Sequence, residues 1–150
     1  MKKAVWLVIL LVFSFEATVQ CKAGQAPAAG SVAGSYQPKS DHDKARSEAE
    51  FTALAYMRTV AYAEKSYYRR HSKYAPSLQD LVGTGSFTRR MANPQRGDYA
   101  VHYHAKAEGF GLTLTPSQPD ASHRSFFVDE TGEFRTEEAG PATDSSPRLE

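Results

Sequence analysis

Between Asp43 and Arg70, apolar and polar residues recur with a helical period. Leu54, Met57, Val60, Ala61, Glu64, Tyr67 and Tyr68 fall at three- and four-residue spacing and so share one stripe, while Arg58, Lys65, Arg69 and Arg70 lie mostly off it. No Gly or Pro interrupts the segment, and Ala, Glu, Lys, Arg, Leu and Met supply helix propensity. The pattern predicts one long helix over residues 44–70, capped by Asp41 or Asp43, with Glu48 and Glu50 in its first half, where the helix dipole favours acids. Glu64 is the one acid on the stripe. It reads as a residue at the stripe's edge, or one hydrogen-bonded to neighbouring backbone, before it reads as a catalyst. From Tyr74 to Gly83 a second, short helix is expected, with Pro76 in its first turn, Gly83 at its left-handed exit, and Leu78, Leu81 and Val82 turned inward.

The period then changes to two. Tyr99, Val101, Tyr103 and Ala105 alternate with Ala100, His102 and His104, which predicts a strand with one buried face. A turn near Glu108-Gly109 leads to a second strand, Phe110 to Thr115. After the loop PSQPDASHR comes a third, Ser125 to Val128, and the Asp129-Glu130-Thr131-Gly132 turn joins it to a fourth at Glu133 to Arg135. The fold class is α+β, with one long N-terminal helix packed on an antiparallel sheet of about four strands. A body this small, residues 44–136, makes a core only by laying its helix on its sheet.

The flanks read differently. Lys2 and Lys3 precede the apolar run Ala4 to Phe15, whose twelve residues match the core of an export signal and fall short of the ~20 that span a bilayer. Residues 1–21 are therefore assigned as an export signal and residues 22–43, rich in Ala, Gly, Ser and Pro, as a flexible linker. Residues 137–150 carry few apolar groups and are expected to fray. Cys21 is the only cysteine, which rules out an intramolecular disulfide. Two fates for it stay open: lipidation, as in a bacterial lipoprotein, or removal by a cut after Ala23.

The segment Arg58-Thr59-Val60-Ala61-Tyr62-Ala63-Glu64-Lys65-Ser66-Tyr67, followed by Tyr74-Ala75-Pro76-Ser77-Leu78 and Leu81, resembles the Arg-Thr-Ile-x-x-Ala-x-x-x-Tyr and Tyr-x-x-Ser-Leu pattern of type IV pilins and type II secretion pseudopilins. Thr115-Pro116, Phe126-Phe127-Val128-Asp129, Gly132 and Arg135 fit the same ending, so the resemblance covers about residues 50–136. It implies a pilin-like globular domain and partners among envelope, pilus or secretion proteins. The Gly-Phe-Thr-Leu-x-Glu prepilin cleavage motif is absent, and a linker separates the apolar run from the amphipathic helix. Assembly by packing of N-terminal helices is therefore not implied. An exported or lipid-anchored accessory protein is.

Candidate chemistry is sparse. His102 and His104 share a strand face and could chelate a metal with His71 or His123, but no carboxylate or Cys stands at a ligand-like spacing. No Gly-x-Ser-x-Gly elbow or phosphate-binding glycine loop is present. The reading is a non-enzymatic domain without metal or cofactor. Charge is uneven beneath a net +1: residues 58–96 hold eight Lys or Arg and two acids, and residues 120–150 hold eight acids and three Arg. Arg58, Lys65, Arg69, Arg70, Lys73, Arg89 and Arg90 are candidates for a basic elbow that meets an anionic partner, with Tyr67, Tyr68 and Tyr74 placed to stack on bases or sugars. A solvated helix face followed by an acidic tail is the plainer account of the same charges. The leading function is protein contact in the envelope. The alternative is a periplasmic module for an anionic polymer or nucleic acid.

Overall fold

The computed structural model describes residues 36–150, so the segment expected to be an export signal, Cys21 and the expected linker up to residue 35 lie outside the described residues. The order of elements is helix α1 (Glu48–His71), then strands β1 (Gln95–Arg96), β2 (Tyr99–Lys106), β3 (Gly109–Pro116), β4 (Ser125–Asp129) and β5 (Phe134–Glu137). The strands form one antiparallel sheet in sequence order, five rather than four. Among the described residues, no helix is long and apolar enough to cross a membrane.

Helix α1 begins later than the Asp41 or Asp43 cap predicts. Its N-cap is Ser47, whose hydroxyl accepts from the Glu50 amide, and Glu50 reaches back to the Arg46 amide. That is the Ser-x-x-Glu logic of a capping box displaced by one donor. Asp43 instead accepts from Tyr36 Oη and from the Lys39 and Ala45 amides. Lys39 pairs with Glu48 and lies over the Phe51 ring, so residues 36–43, expected as the end of a linker, are turned against the start of the helix. At the other end Ser72 takes the left-handed conformation usually left to Gly, φ 54°, and its amide closes on the Tyr68 carbonyl.

One stripe of α1, Ala53, Leu54, Met57, Val60 and Ala63, is buried. The sheet presents a matching face: Tyr99 and Val101 on β2, Phe110, Leu112 and Leu114 on β3, Phe126 and Val128 on β4. Register explains the match, since Val101 stands beside Leu114 and Leu112 beside Val128, keeping large residues in rows. Ala105 lies on the predicted face but is exposed, although its cross-strand partner Phe110 is buried.

Two further expectations differ from the structure. The segment after Pro76 closes through consecutive i to i+3 bonds, Asp80 to Ser77, Leu81 to Leu78 and Val82 to Gln79, and so forms successive turns rather than a short α-helix. Leu78 and Leu81 are buried there, Val82 is half-buried, and Gly83 has the expected left-handed backbone, φ +84°. The C-terminal segment, expected to fray, folds back over the sheet. The Thr136 amide donates to the Pro147 carbonyl, the Leu149 amide to the Phe134 carbonyl, and Ala142 is only 1% exposed. These bonds cover the outer edge of β5, which would otherwise offer unpaired amides and carbonyls to other strands.

Candidate functional site

A helix advances 100° per residue, so Arg58, Tyr62, Lys65 and Arg69 leave the axis of α1 within roughly 60° of one another. All four are exposed. Tyr62 and Tyr68 are 59% and 46% exposed, and among the described residues they are the large apolar side chains most open to water. Tyr68 packs on Tyr74, ring centroids 4.8 Å apart, and Tyr74 on the buried Phe110 at 5.7 Å. An aromatic ladder thus runs from the surface into the core.

Two clefts share these side chains. One, about 330 Å³, is lined by Tyr62, Lys65, Tyr68, Arg69 and Tyr74, with no acid on its wall. Its neighbour, about 250 Å³, lies between α1 and the β4–β5 turn and adds Arg58, Ala61, Phe110 and Phe134 together with Asp129 and Glu130. The turn that forms this wall is fixed by Asp129 accepting from the Thr131 amide and hydroxyl, and by Gly132 at φ +78°. Glu130 accepts from the Phe110 amide at 3.3 Å. Burial, more than the nearby Glu130, Tyr68 and Glu64, holds the Tyr74 hydroxyl protonated above the usual phenol range.

The structure divides the expected basic elbow. Arg58, Lys65 and Arg69 gather on the helix face, with the Arg58 guanidinium over the Phe134 ring at 5.8 Å. Lys73 is exposed on the turn just beyond. Arg70 points elsewhere: its Nη2 donates to the Thr84 hydroxyl at 2.7 Å and pins the following loop. Arg89 and Arg90 belong to a 3-10 turn, Arg89–Ala92, seated at Tyr56, whose hydroxyl donates to the Met91 carbonyl. Arg96, over the Tyr56 ring, donates to the Arg90 carbonyl. Tyr56 and Arg58 leave the helix roughly 200° apart, two residues at 100° each. Arg89 and Arg90 are therefore not part of the patch formed by Arg58, Lys65 and Arg69.

The histidines stay apart from one another's chemistry. His102 and His104 are exposed on the outer face of β2, His71 packs on Tyr67 at the end of α1, and no group of three metal-ligating side chains occurs among the described residues. His123 does meet Ser122 and Asp120, in the loop before β4. Both contacts fall on its Nδ1, at 3.1 and 2.9 Å, and the Ser122 hydroxyl also donates to Asp120. A nucleophile relay needs an acid hydrogen-bonded to the ring nitrogen opposite the serine; here Asp98 stands off Nε2 at 3.8 Å, beyond hydrogen-bond range, so the relay is not formed. Bonds from Ser122 and His123 lower the Asp120 carboxyl to a pKa of about 2, as expected for a loop clasp.

Two carboxylates on α1 are fully buried, and their distant partners escape a sequence reading. Glu50 is 0% exposed and meets Arg124, itself 6% exposed: its oxygens accept from the Arg124 amide, Nε and Nη2 at 2.8–3.0 Å. Arg124 spends a further bond on the Lys44 carbonyl, and Ser47 reaches the Ser122 carbonyl, so the start of α1 is clamped to the loop before β4. Glu64 is equally buried and is held by the Ala75 amide and the Tyr103 hydroxyl. The bond to neighbouring backbone fits one of the two readings of Glu64. Its Tyr103 partner, 39 residues away, leaves no local signal in the sequence.

Compared with protein families, characterised proteins and solved structures, the chain matches none.

Proposed function

We propose that this chain is an exported, pilin-like interaction domain of the bacterial envelope, an accessory to a pilus or secretion apparatus, and that it docks its partner on the tyrosine-rich face of α1. One observation carries the reading: Tyr62 and Tyr68 are exposed side by side with Lys65 and Arg69, over a cleft whose wall has no acid. Tyr and Arg are enriched at protein interfaces because they combine large apolar area with a polar tip. A partner that fits presents an apolar side chain to the cleft and acids to the cations around it. The long helix lying on an antiparallel sheet, and the pilin-like order of residues 50–136, support the envelope assignment.

The alternative, an anionic polymer or nucleic acid held by a basic elbow, draws support from the same cations and tyrosines. The separation of Arg89 and Arg90 leaves a short basic patch rather than a track, which favours a protein partner. Salt discriminates: polyanion binding falls steeply between low and physiological salt through counterion release, whereas apolar anchoring does not.

Lys65→Glu with Arg69→Glu is expected to weaken partner binding by at least about tenfold, while the thermal midpoint stays nearly constant, because exposed charges contribute little to stability. Quantitative co-purification from envelope fractions, alongside a thermal melt, measures both. Equal binding by wild type and the double variant would contradict the assignment.

The membrane link rests on Cys21 after its Lys-headed apolar run. With lipid attached there, Cys21→Ser is expected to move the protein from the membrane into the soluble envelope fraction. One acyl chain binds only marginally, so firm attachment requires several. An intact mass showing an unlipidated N-terminus at Gly24 contradicts the anchor.

A further inference from the structure

The hydroxyl of Tyr103 carries one hydrogen and stands against two acceptors. Its oxygen is 2.6 Å from Glu64 Oε1 and 2.6 Å from the Ala75 carbonyl. Both distances lie at the short end of O–H···O bonds. The carbonyl can only accept, and so can an ionised carboxylate. With Glu64 ionised, one of the two contacts therefore has no hydrogen in it and brings two oxygens together at repulsive range. A proton on Glu64 Oε1 resolves both: the acid donates to Tyr103, Tyr103 donates to the Ala75 carbonyl, and Oε2 accepts from the Ala75 amide at 3.1 Å. Every donor and acceptor in the cycle is then used, inside a site without water access to Glu64.

We infer that the folded protein holds Glu64 as the neutral carboxylic acid, at pH values where an exposed glutamate is ionised, and that its ionisation loosens the turn that carries Tyr74 into the docking cleft. Ala75 is the residue Glu64 grips, and Tyr74 beside it lines both clefts. The inference thus supplies a pH regulation of the proposed docking face and, in that respect alone, rests on that reading. Charge around the cycle agrees. Tyr67 on α1 and Asp80 in the following turns bear on Tyr103, and Glu130 and Tyr68 bear on Tyr74, whose clefts the exposed Arg58, Lys65 and Arg69 also line. None of these cations is a hydrogen-bond partner of Glu64, which is held by Tyr103 and Ala75. Burial raises the Glu64 carboxyl above its ordinary range, opposed by the bonds from Tyr103 and Ala75, and burial with Glu64 beside it raises Tyr103.

The sign follows from linkage. A carboxyl whose pKa is raised by folding leaves the native state holding one more proton than the unfolded chain over the window between the two pKa values. Stability is full below the unfolded value and is lost as pH rises toward the folded one, by up to about tenfold in the folding equilibrium per pH unit. Glu64→Gln supplies the hydrogen to Tyr103 without titrating, with one N–H to spare: its amide nitrogen donates to Tyr103 and its amide oxygen accepts from Ala75.

The test is chemical denaturation of the whole chain, wild type and Glu64→Gln, in steps from about pH 5 to about pH 9. Because other titrations are shared, the readout is the difference between the two. The folding equilibrium of the wild type is expected to fall relative to Glu64→Gln as pH rises, with the variant the more stable at the alkaline end. Exchange of the Ala75 amide, corrected for base catalysis, should accelerate in the wild type alone. A variant less stable by a constant amount at every pH would overturn the inference, because it would mean that the ionised carboxylate is required. A difference of zero throughout would overturn it too. These readouts need no partner, so a failed docking surface and a failed proton assignment give different results.

Discussion

Arg124→Ala is expected to destabilise the domain by about 3–5 kcal/mol, the range found when one partner of a buried ion pair is removed. The reason is the charge left behind. Glu50 is 0% exposed, and without the Arg124 side chain its carboxylate keeps only the backbone amides of residues 46 and 124 as partners. The Lys44 carbonyl loses its donor in the same step. Since small domains have about 5–15 kcal/mol in total, this is a large fraction of the whole. Glu50→Ala should cost a similar amount, and the double replacement clearly less than the two together, since it strands no charge. Chemical denaturation of the four proteins measures the coupling. Loss of less than about 1 kcal/mol in Arg124→Ala would mean that the clamp between α1 and the β4 loop is open to water.

The second large effect is expected from Val60→Asp. Val60 is fully buried in the middle of the α1 stripe, in the same hydrophobic core as Leu112 and Val128 of the sheet. A carboxylate there has no partner, and its desolvation cost is comparable to the whole stability of the domain. The cooperative thermal transition should disappear. Val60→Ala, which removes volume without adding charge, is expected to cost on the order of 2 kcal/mol and to keep a single transition. A Val60→Asp protein that melts cooperatively within a few degrees of wild type would contradict the packing of α1 on the sheet.

Much of this architecture is written in short-range pattern. The α1 stripe repeats often enough that Leu54, Met57 and Val60 are found from spacing alone, and the β2 alternation and the Asp129 to Gly132 turn are equally local. What is missing from the pattern is long-range or brief. The true start of α1 was legible, since Ser47 and Glu50 form a capping signature, but Asp43 offers a competing cap and is used for a different turn. Strand β1 has two residues and so no period to read. The C-terminal segment is held by backbone bonds and by single small side chains such as Ala142, neither of which leaves a hydrophobic run.

The candidate site follows the same division. Arg58, Lys65 and Arg69 could be placed together because helix geometry fixes their relation, whatever the rest of the chain does. Arg89 and Arg90 could not, because their position depends on where the loop docks, and the Tyr56 contacts that dock it are tertiary. Arg124 reads as one more loop cation until Glu50 is seen beside it, 74 residues away.

The docking claim is tested most directly by photocrosslinking in the native cell envelope, with a photoreactive residue placed at Tyr68 on the helix face or at His102 on the opposite, sheet face. Both positions are exposed, so neither replacement should disturb folding. The account predicts a discrete crosslinked species from position 68, abolished by Lys65→Glu with Arg69→Glu, and none from position 102. Crosslinking from position 102 but not 68, or from neither, would contradict it.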